Sequence, residues 1–171
     1  MNRIEIFMGD ITKVPCDALV TAANAALAGG GGVDGAVHAA AGPNLLEECK
    51  KLEGCPTGEA RITPGFDLGK PVIHAVGPIW HGGRHGEEYL LSSAYRESLI
   101  LARNHKIQTL AFPCISTGVY RYPPEMASRI AFSTAAEFLF ENDFPKKVIF
   151  VCFNERDLQL YTNLKEESGE S

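Results

Sequence analysis

Gly29-Gly30-Gly31-Gly32-Val33-Asp34-Gly35 is the stretch that decides how this sequence is read. It follows a short apolar run, Asp17 to Thr21 (DALVT), which predicts a buried strand. It precedes Val33 to Ala41, which predicts a short helix ended by Gly42-Pro43. Successive glycines let the backbone approach a bulky ligand. The start of the helix beyond offers unpaired N–H groups and a partial positive charge. Together these predict a site for a diphosphate. The plainer alternative, a flexible surface loop, fits poorly between a buried strand and a helix.

The literal G-x-G-x-x-G of Gly30 to Gly35 raises a dinucleotide-binding reading. That arrangement needs its first glycine immediately after the strand, and an acid about 20 positions on at the end of the next strand. Here the segment from Ala22 intervenes, and the next acid, Glu53, lies in an expected helix. A P-loop is excluded because no G-K-[ST] follows.

Working outward, Thr21-Ala22-Ala23-Asn24 ends the preceding strand. The Asn24 amide donates and accepts together, which suits vicinal ribose hydroxyls; satisfying a turn is the equally good alternative. Asp34, expected at the second helical position, is either a first-turn acid or a group for sugar hydroxyls or a water. A second loop, Pro113 to Tyr120 (PCISTGVY), follows a buried strand and precedes a helix opened by Pro123-Pro124. Its Ser, Thr and Gly supply donors without bulk, so it reads as a second phosphate cradle that Tyr120 could cover.

The remaining elements alternate. Strands are expected at Ile4–Met8, Ala60–Phe66, Pro71–Val76, Thr109–Pro113 and Lys147–Phe153. Helices are expected at Leu45–Leu52, Glu87–His105, Pro124–Phe140 and Glu155–Leu164, with Lys165–Ser171 a frayed polar tail. Late strands alternating with long helices predict a mixed, largely parallel sheet covered on both faces: a three-layer α/β/α sandwich in one domain, residues 1–165, with some antiparallel pairing early in the chain.

The 171 residues suit one core. The formal charge of −5 and pI near 5.5 give no broad attraction to nucleic acid or anionic lipid, so an anion must be held by local groups. The five cysteines are odd in number and lack a C-x-x-C pair, which predicts reduced thiols. Met1 to Met8 does not resemble a signal peptide, and no run of 18 apolar residues exists; a cytoplasmic, membrane-free protein is expected. His81 and His85 have metal-like spacing, but they sit in Gly-rich loop sequence without an acidic or Cys partner, so no metal is expected. Cys114 and Ser116 lack an evident His partner as nucleophiles.

Taken together, Gly9-Asp10-Ile11-Thr12, Ala22-Ala23-Asn24, Gly29 to His38, Ala40 to Pro43, Cys55 to Ala60, His74 to Pro78 and Ile115 to Tyr120 resemble the macrodomain family. The likeness is to the MacroD-type branch that includes bacterial O-acetyl-ADP-ribose deacetylases and mono-ADP-ribosylhydrolases. The resemblance implies that ADP-ribose, its O-acyl esters and mono-ADP-ribosylated proteins are the partners, with no cofactor. It implies Asp10 and the Ile11 backbone at the adenine, and Phe153 packed on that ring. It implies Gly31, Gly32 and Val33 at the diphosphate, with Ser116, Thr117, Gly118, Val119 and Tyr120 closing over it. Asn24 and Asp34 would address the distal ribose and serve catalysis, either through a water held by Asp34 or with the ligand's own phosphate as base. Two positions depart from the expected pattern: Thr21 stands where Asn is expected and should support the loop, and Arg121 stands where a small residue is expected. A non-catalytic ADP-ribose reader is the main rival, and an RNA- or poly(ADP-ribose)-binding scaffold is disfavoured by the acidic balance.

Overall fold

The computed structural model describes residues 2–169. Six strands form one sheet: β1 (Ile4–Met8), β2 (Ala18–Ala22), β3 (Ala60–Thr63), β4 (Val72–Ala75), β5 (Thr109–Phe112) and β6 (Lys147–Cys152). Their spatial order is β1-β6-β5-β2-β4-β3, and every pair is parallel except β3 with β4. Five helices accompany them: α1 (Gly32–Ala41), α2 (Asn44–Lys50), α3 (Glu87–Asn104), α4 (Pro124–Glu141) and α5 (Glu155–Glu167).

The central strands are apolar throughout, yet their side chains alternate between two cores. Ala18, Val20, Leu110, Phe112, Val148 and Phe150 face the core containing Leu91, Tyr95 and Leu99 of α3, Ala131 and Phe132 of α4, and Tyr161 of α5. Leu19, Ala111, Ile149 and Val151 face the other, with Val37 of α1 and Leu45 and Cys49 of α2. The α/β/α sandwich expected from the sequence is therefore the fold, with helices on both faces of the sheet.

Some expected boundaries move. The strand expected over Ala60–Phe66 stops at Thr63, because Phe66–Leu68 closes into a 3-10 turn ended by Gly69 in the left-handed region. Helix α2 covers Asn44–Lys50 rather than Leu45–Leu52. Helix α5 runs on to Glu167, so Lys165 to Glu167 are helical rather than frayed. The end of the expected tail, residues 170–171, lies outside the described residues.

The chain moves from β2 to β3 and β4 on one side of the sheet, then crosses to β5 on the other side of β2. The sheet thus has a switch point between β2 and β5. At such a point the loops leaving adjacent strands part and leave a crevice at the carboxyl ends.

Candidate active site

The crevice is present. A cleft of about 340 Å³ opens at the carboxyl ends of β2, β4 and β5. Its walls are the two loops singled out in the sequence: Asn24 and Gly30 to Asp34 on one side, and Ser116, Gly118, Val119 and Tyr120 on the other. Two larger depressions lie elsewhere. One is bordered by Thr109 and Lys147 at the amino ends of β5 and β6, and the other by Arg96, Arg103 and Glu137 between α3 and α4. Neither contains a glycine loop at a helix start, so chemistry rather than size picks the candidate site.

The first wall is built for backbone exposure. Gly32 has φ +57°, a conformation costly to any residue with a Cβ. The residue before the helix, Gly31, has no side chain with which to cap it. The first N–H groups of α1 have no partner within the helix and point toward the cleft end of the element. Gly35 brings the first turn against the loop; a Cβ there would stand 2.7 Å from the Gly30 carbonyl oxygen.

Asn24 binds the loop itself. Its Nδ2 donates to the Gly29 carbonyl at 2.8 Å, and its Oδ1 accepts from the Ala28 N–H at 3.1 Å. The turn role weighed in the sequence is thus the role the structure displays. One amide N–H and one lone pair remain for other partners.

Asp34 stands at the third position of α1, not the second. It is 4% exposed. Its Oδ1 accepts from Thr21 Oγ1 at 2.9 Å and lies 3.7 Å from His38 Nε2 one turn along the helix. Its Oδ2 faces Gly30: a Cβ placed on that glycine would stand 3.8 Å from both Asp34 Oδ2 and Asn24 Nδ2. Burial pushes the Asp34 carboxyl above the usual carboxylate range, and the Thr21 hydroxyl and His38 pull it back down. Thr21 is therefore not a loop support as expected from the sequence; it is a hydrogen-bond donor to Asp34.

His38 was not singled out as a site residue. Its signal was available: it is four residues beyond Asp34 on one helix, the spacing that puts two side chains on one face. Behind it, His74 Nε2 lies 2.9 Å from Thr63 Oγ1, and the Cys49 thiol lies 3.8 Å from the same nitrogen. His38, Cys49 and His74 each offer a donor atom within 4.8 Å of the others, the one such trio among the described residues. Burial drives His74 down to about 4 and the Cys49 thiol up to about 11.

The second wall is strained and braced. Ser116 has φ +69°, a conformation that costs a non-glycine residue of order 1–3 kcal/mol. It is buried, and its Oγ has no hydrogen-bond partner among the described residues. A Cβ on Gly77 would strike that Oγ and stand 2.5 Å from Ile115 Cγ2, so only glycine admits the loop this close to β4. Trp80 N donates to the Tyr120 carbonyl at 2.8 Å, and the Trp80 ring lies 4.7 Å from that of Tyr122. Cys114 also lines the cleft, but Thr117 does not: its Oγ1 donates to the Cys114 carbonyl at 3.2 Å. Arg121 has φ +62° and is exposed outside the cleft lining.

Asp10, Ile11 and Phe153 lie apart from this cleft, at the carboxyl ends of β1 and β6. Gly9 N donates to the Cys152 carbonyl at 3.1 Å and ties these two ends together. Phe153 is 83% exposed and so is no core residue. Asp10 Oδ1 accepts from the Thr12 hydroxyl at 2.7 Å and the Thr12 N–H at 2.9 Å; these bonds hold its carboxyl below the usual range. Ile11 is buried. Three strand spacings separate β1 from β2, roughly 14 Å at about 4.8 Å each. One elongated ligand can span that distance along the sheet edge.

The macro domain family profile matches residues 20–131. A macro domain-containing protein of Methanosarcina mazei is 60% identical over 155 residues, 90% of this chain and 83% of its own. An O-acetyl-ADP-ribose deacetylase of Salmonella typhimurium is 48% identical, covering 99% of this chain and 97% of its own. Among solved structures, a point mutant of the Oceanobacillus iheyensis macrodomain with ADPR aligns with a TM-score of 0.92 at 45% identity, over 98% of this chain and 94% of that one. A Trypanosoma brucei macrodomain in complex with ADP-ribose aligns at 0.89 and 40% identity, over 95% of this chain and 68% of that one. With its fold, its two cleft loops and these likenesses in agreement, the chain belongs to the macro domain family.

Proposed function

We propose that the protein binds ADP-ribose and hydrolyses esters on the ribose distal to the adenine, taking O-acetyl-ADP-ribose and ADP-ribose esterified to acidic protein side chains. One observation carries the reading. An uncapped glycine loop faces a hydroxyl-bearing loop across a cleft, and a buried carboxylate oxygen, Asp34 Oδ2, sits at the end of it. The Salmonella relative's name and the ADPR-bearing neighbours support the same reading.

The roles follow from position. N–H groups of Gly31, Gly32 and Val33 at the start of α1 hold the diphosphate, each helix-end contact contributing about 0.3–1 kcal/mol. Ser116 Oγ, without a partner among the described residues, donates to a phosphate oxygen. Gly118, Val119 and Tyr120 close the cleft from the other side, and Thr117 shapes that loop through its bond to Cys114. The adenine lies at the β1/β6 end, where Asp10 accepts from the amino group, the Ile11 backbone lies beside it and Phe153 covers the ring. The remaining Asn24 amide groups meet the distal ribose.

Asp34 Oδ2 accepts a proton from a water as that water's oxygen attacks the acyl carbon. The bond between the acyl carbon and the ribose oxygen then breaks. Its oxygen takes the proton back, and the acid and ADP-ribose leave. Burial raises the Asp34 carboxyl, and the Thr21 hydroxyl on Oδ1 and the neighbouring His38 work against that rise, favouring the charged form this step uses.

Calorimetric titration with ADP-ribose, followed by product analysis with O-acetyl-ADP-ribose, tests the proposal. One-to-one binding and release of acetate are expected. Binding without release makes the protein a reader and ends the hydrolytic reading.

A further inference from the structure

Resting on that hydrolytic reading, we propose that Thr21 is a positioning residue: it pins Oδ1 of Asp34 inward, so that Oδ2 alone is presented to the water in the cleft. Thr21 is 0% exposed, on a strand hydrogen-bonded to β4 and β5. It does not line the cleft, so it acts through Asp34. A β-branched side chain on a fixed strand has few rotamers, so its hydroxyl is aimed before any ligand arrives. That hydroxyl has one proton, and it goes to Asp34 Oδ1 at 2.9 Å.

The surroundings leave the task to few groups. Around Asp34 stand His38 on its own helix, Cys49 on α2 and His74 on β4. The charged groups on elements packed against α1 are Lys13 and Asp67 on the flanking turns, and Glu47, Glu48 and Lys50 on α2. Only Thr21 and His38 offset the cost of burying the Asp34 charge. The Thr21 bond favours the ionised form, and removing it raises the carboxyl further. The acidic limb of turnover must then move to higher pH, since Asp34 needs its charge to act as base.

The test uses the full chain in four forms: wild type, Thr21→Val, Thr21→Ala and Thr21→Ser. The Asp34 carboxyl is titrated by carbon NMR, and kcat and KM for O-acetyl-ADP-ribose are followed against pH. Thr21→Val and Thr21→Ala are expected to raise the titration midpoint and move the acidic limb of kcat upward. Near neutral pH, kcat should fall about ten-fold, the scale of a lost hydrogen bond to a charged group, with KM changed less than about two-fold. Thr21→Ser is expected to restore the wild-type midpoint. A midpoint unchanged in both hydroxyl-free variants overturns the proposal. If the wild type releases no acetate, the hydrolytic reading fails instead, and the NMR midpoints still decide whether Thr21 governs Asp34.

Discussion

The glycine-rich loops that lead into α1 and α3 meet opposite fates. The loop before α1, Gly29 to Gly31, has no side-chain cap and borders the cleft. The loop before α3, His81 to Gly86, is filled by the chain's own carboxylate. Glu87 accepts from the N–H groups of His81 at 2.8 Å, Gly83 at 2.9 Å and His85 at 2.6 Å. Burial opposes the charge of Glu87, but these donors together outweigh it and hold the carboxyl at about 2. Both loops present backbone N–H groups at the start of a helix. The loop before α3 is satisfied internally and holds Trp80 under the Tyr120 loop, whereas the loop before α1 carries no side-chain cap. The acid at the start of α1, Asp34, has its Oδ1 engaged by Thr21 and His38, while its Oδ2 faces Gly30. A glycine loop is a candidate site only when no side chain of the chain itself fills it.

That contrast can be broken most severely at Asp34. Asp34→Ala should cut turnover of O-acetyl-ADP-ribose by at least about 10²-fold, the scale of a positioned general base, while ADP-ribose affinity changes far less. Equal turnover in the variant, measured by acetate release, would end the case for the open loop as a reaction site.

Acid should separate the two regions next. His74, behind Asp34 and His38, is neutral when folded, with a value lowered from 6.5 to about 4. The unfolded chain therefore takes up a proton between those values before the folded one does. Stability is full above pH 6.5 and falls by up to about 3 kcal/mol as pH drops to 4. Glu87 has the opposite margin: its depressed carboxyl contributes stability above 4.5 that is lost only as pH falls toward 2. Denaturant titrations from pH 7 to 3 should show the first slope in wild type and not in His74→Gln.

A smaller effect sharpens the comparison at the backbone. A Cβ on Gly31 meets nothing within 4 Å, and its φ of −91° suits any residue. Gly31→Ala should leave the melting temperature unchanged yet weaken ADP-ribose binding roughly ten-fold, about 1.4 kcal/mol, by holding the ligand off the N–H groups. Unchanged affinity by calorimetry would mean that the ligand does not approach that backbone. At the filled loop the outcome inverts: Glu87→Ala should lower the melting temperature by roughly 2 °C or more while the kcat of the folded protein is retained.

The period of apolar residues and the punctuation by Gly and Pro made most of the fold legible, because strands and helices bury their faces at different spacings. Both cleft loops could be read as ligand loops from their place between a strand and a helix. Side-chain partners were less legible. Asn24 offered two equal roles, and only the positions of the Ala28 and Gly29 backbone groups chose the turn. Glu87 entered the sequence reading only as the start of a helix, because its donors come from a loop with no regular period. The shortened β3 was hidden for a related reason: nothing in Pro64-Gly65-Phe66 fixed where the ladder with β4 stops.

By itself the sequence determined the layered fold, the glycine loop, and the presence of a carboxylate and an amide beside it. These follow from local conformational preference and apolar periodicity, which act over a few residues. Only the tertiary structure decided that Thr21 and His38 share one oxygen of Asp34, that Ser116 Oγ has no partner among the described residues, and that Glu87 fills the loop before α3 while the loop before α1 has no side-chain cap. The physical reason is that hydrogen bonds depend on distance and direction, and the packing of β2, β4 and β5 against α1 sets both between residues far apart in the chain.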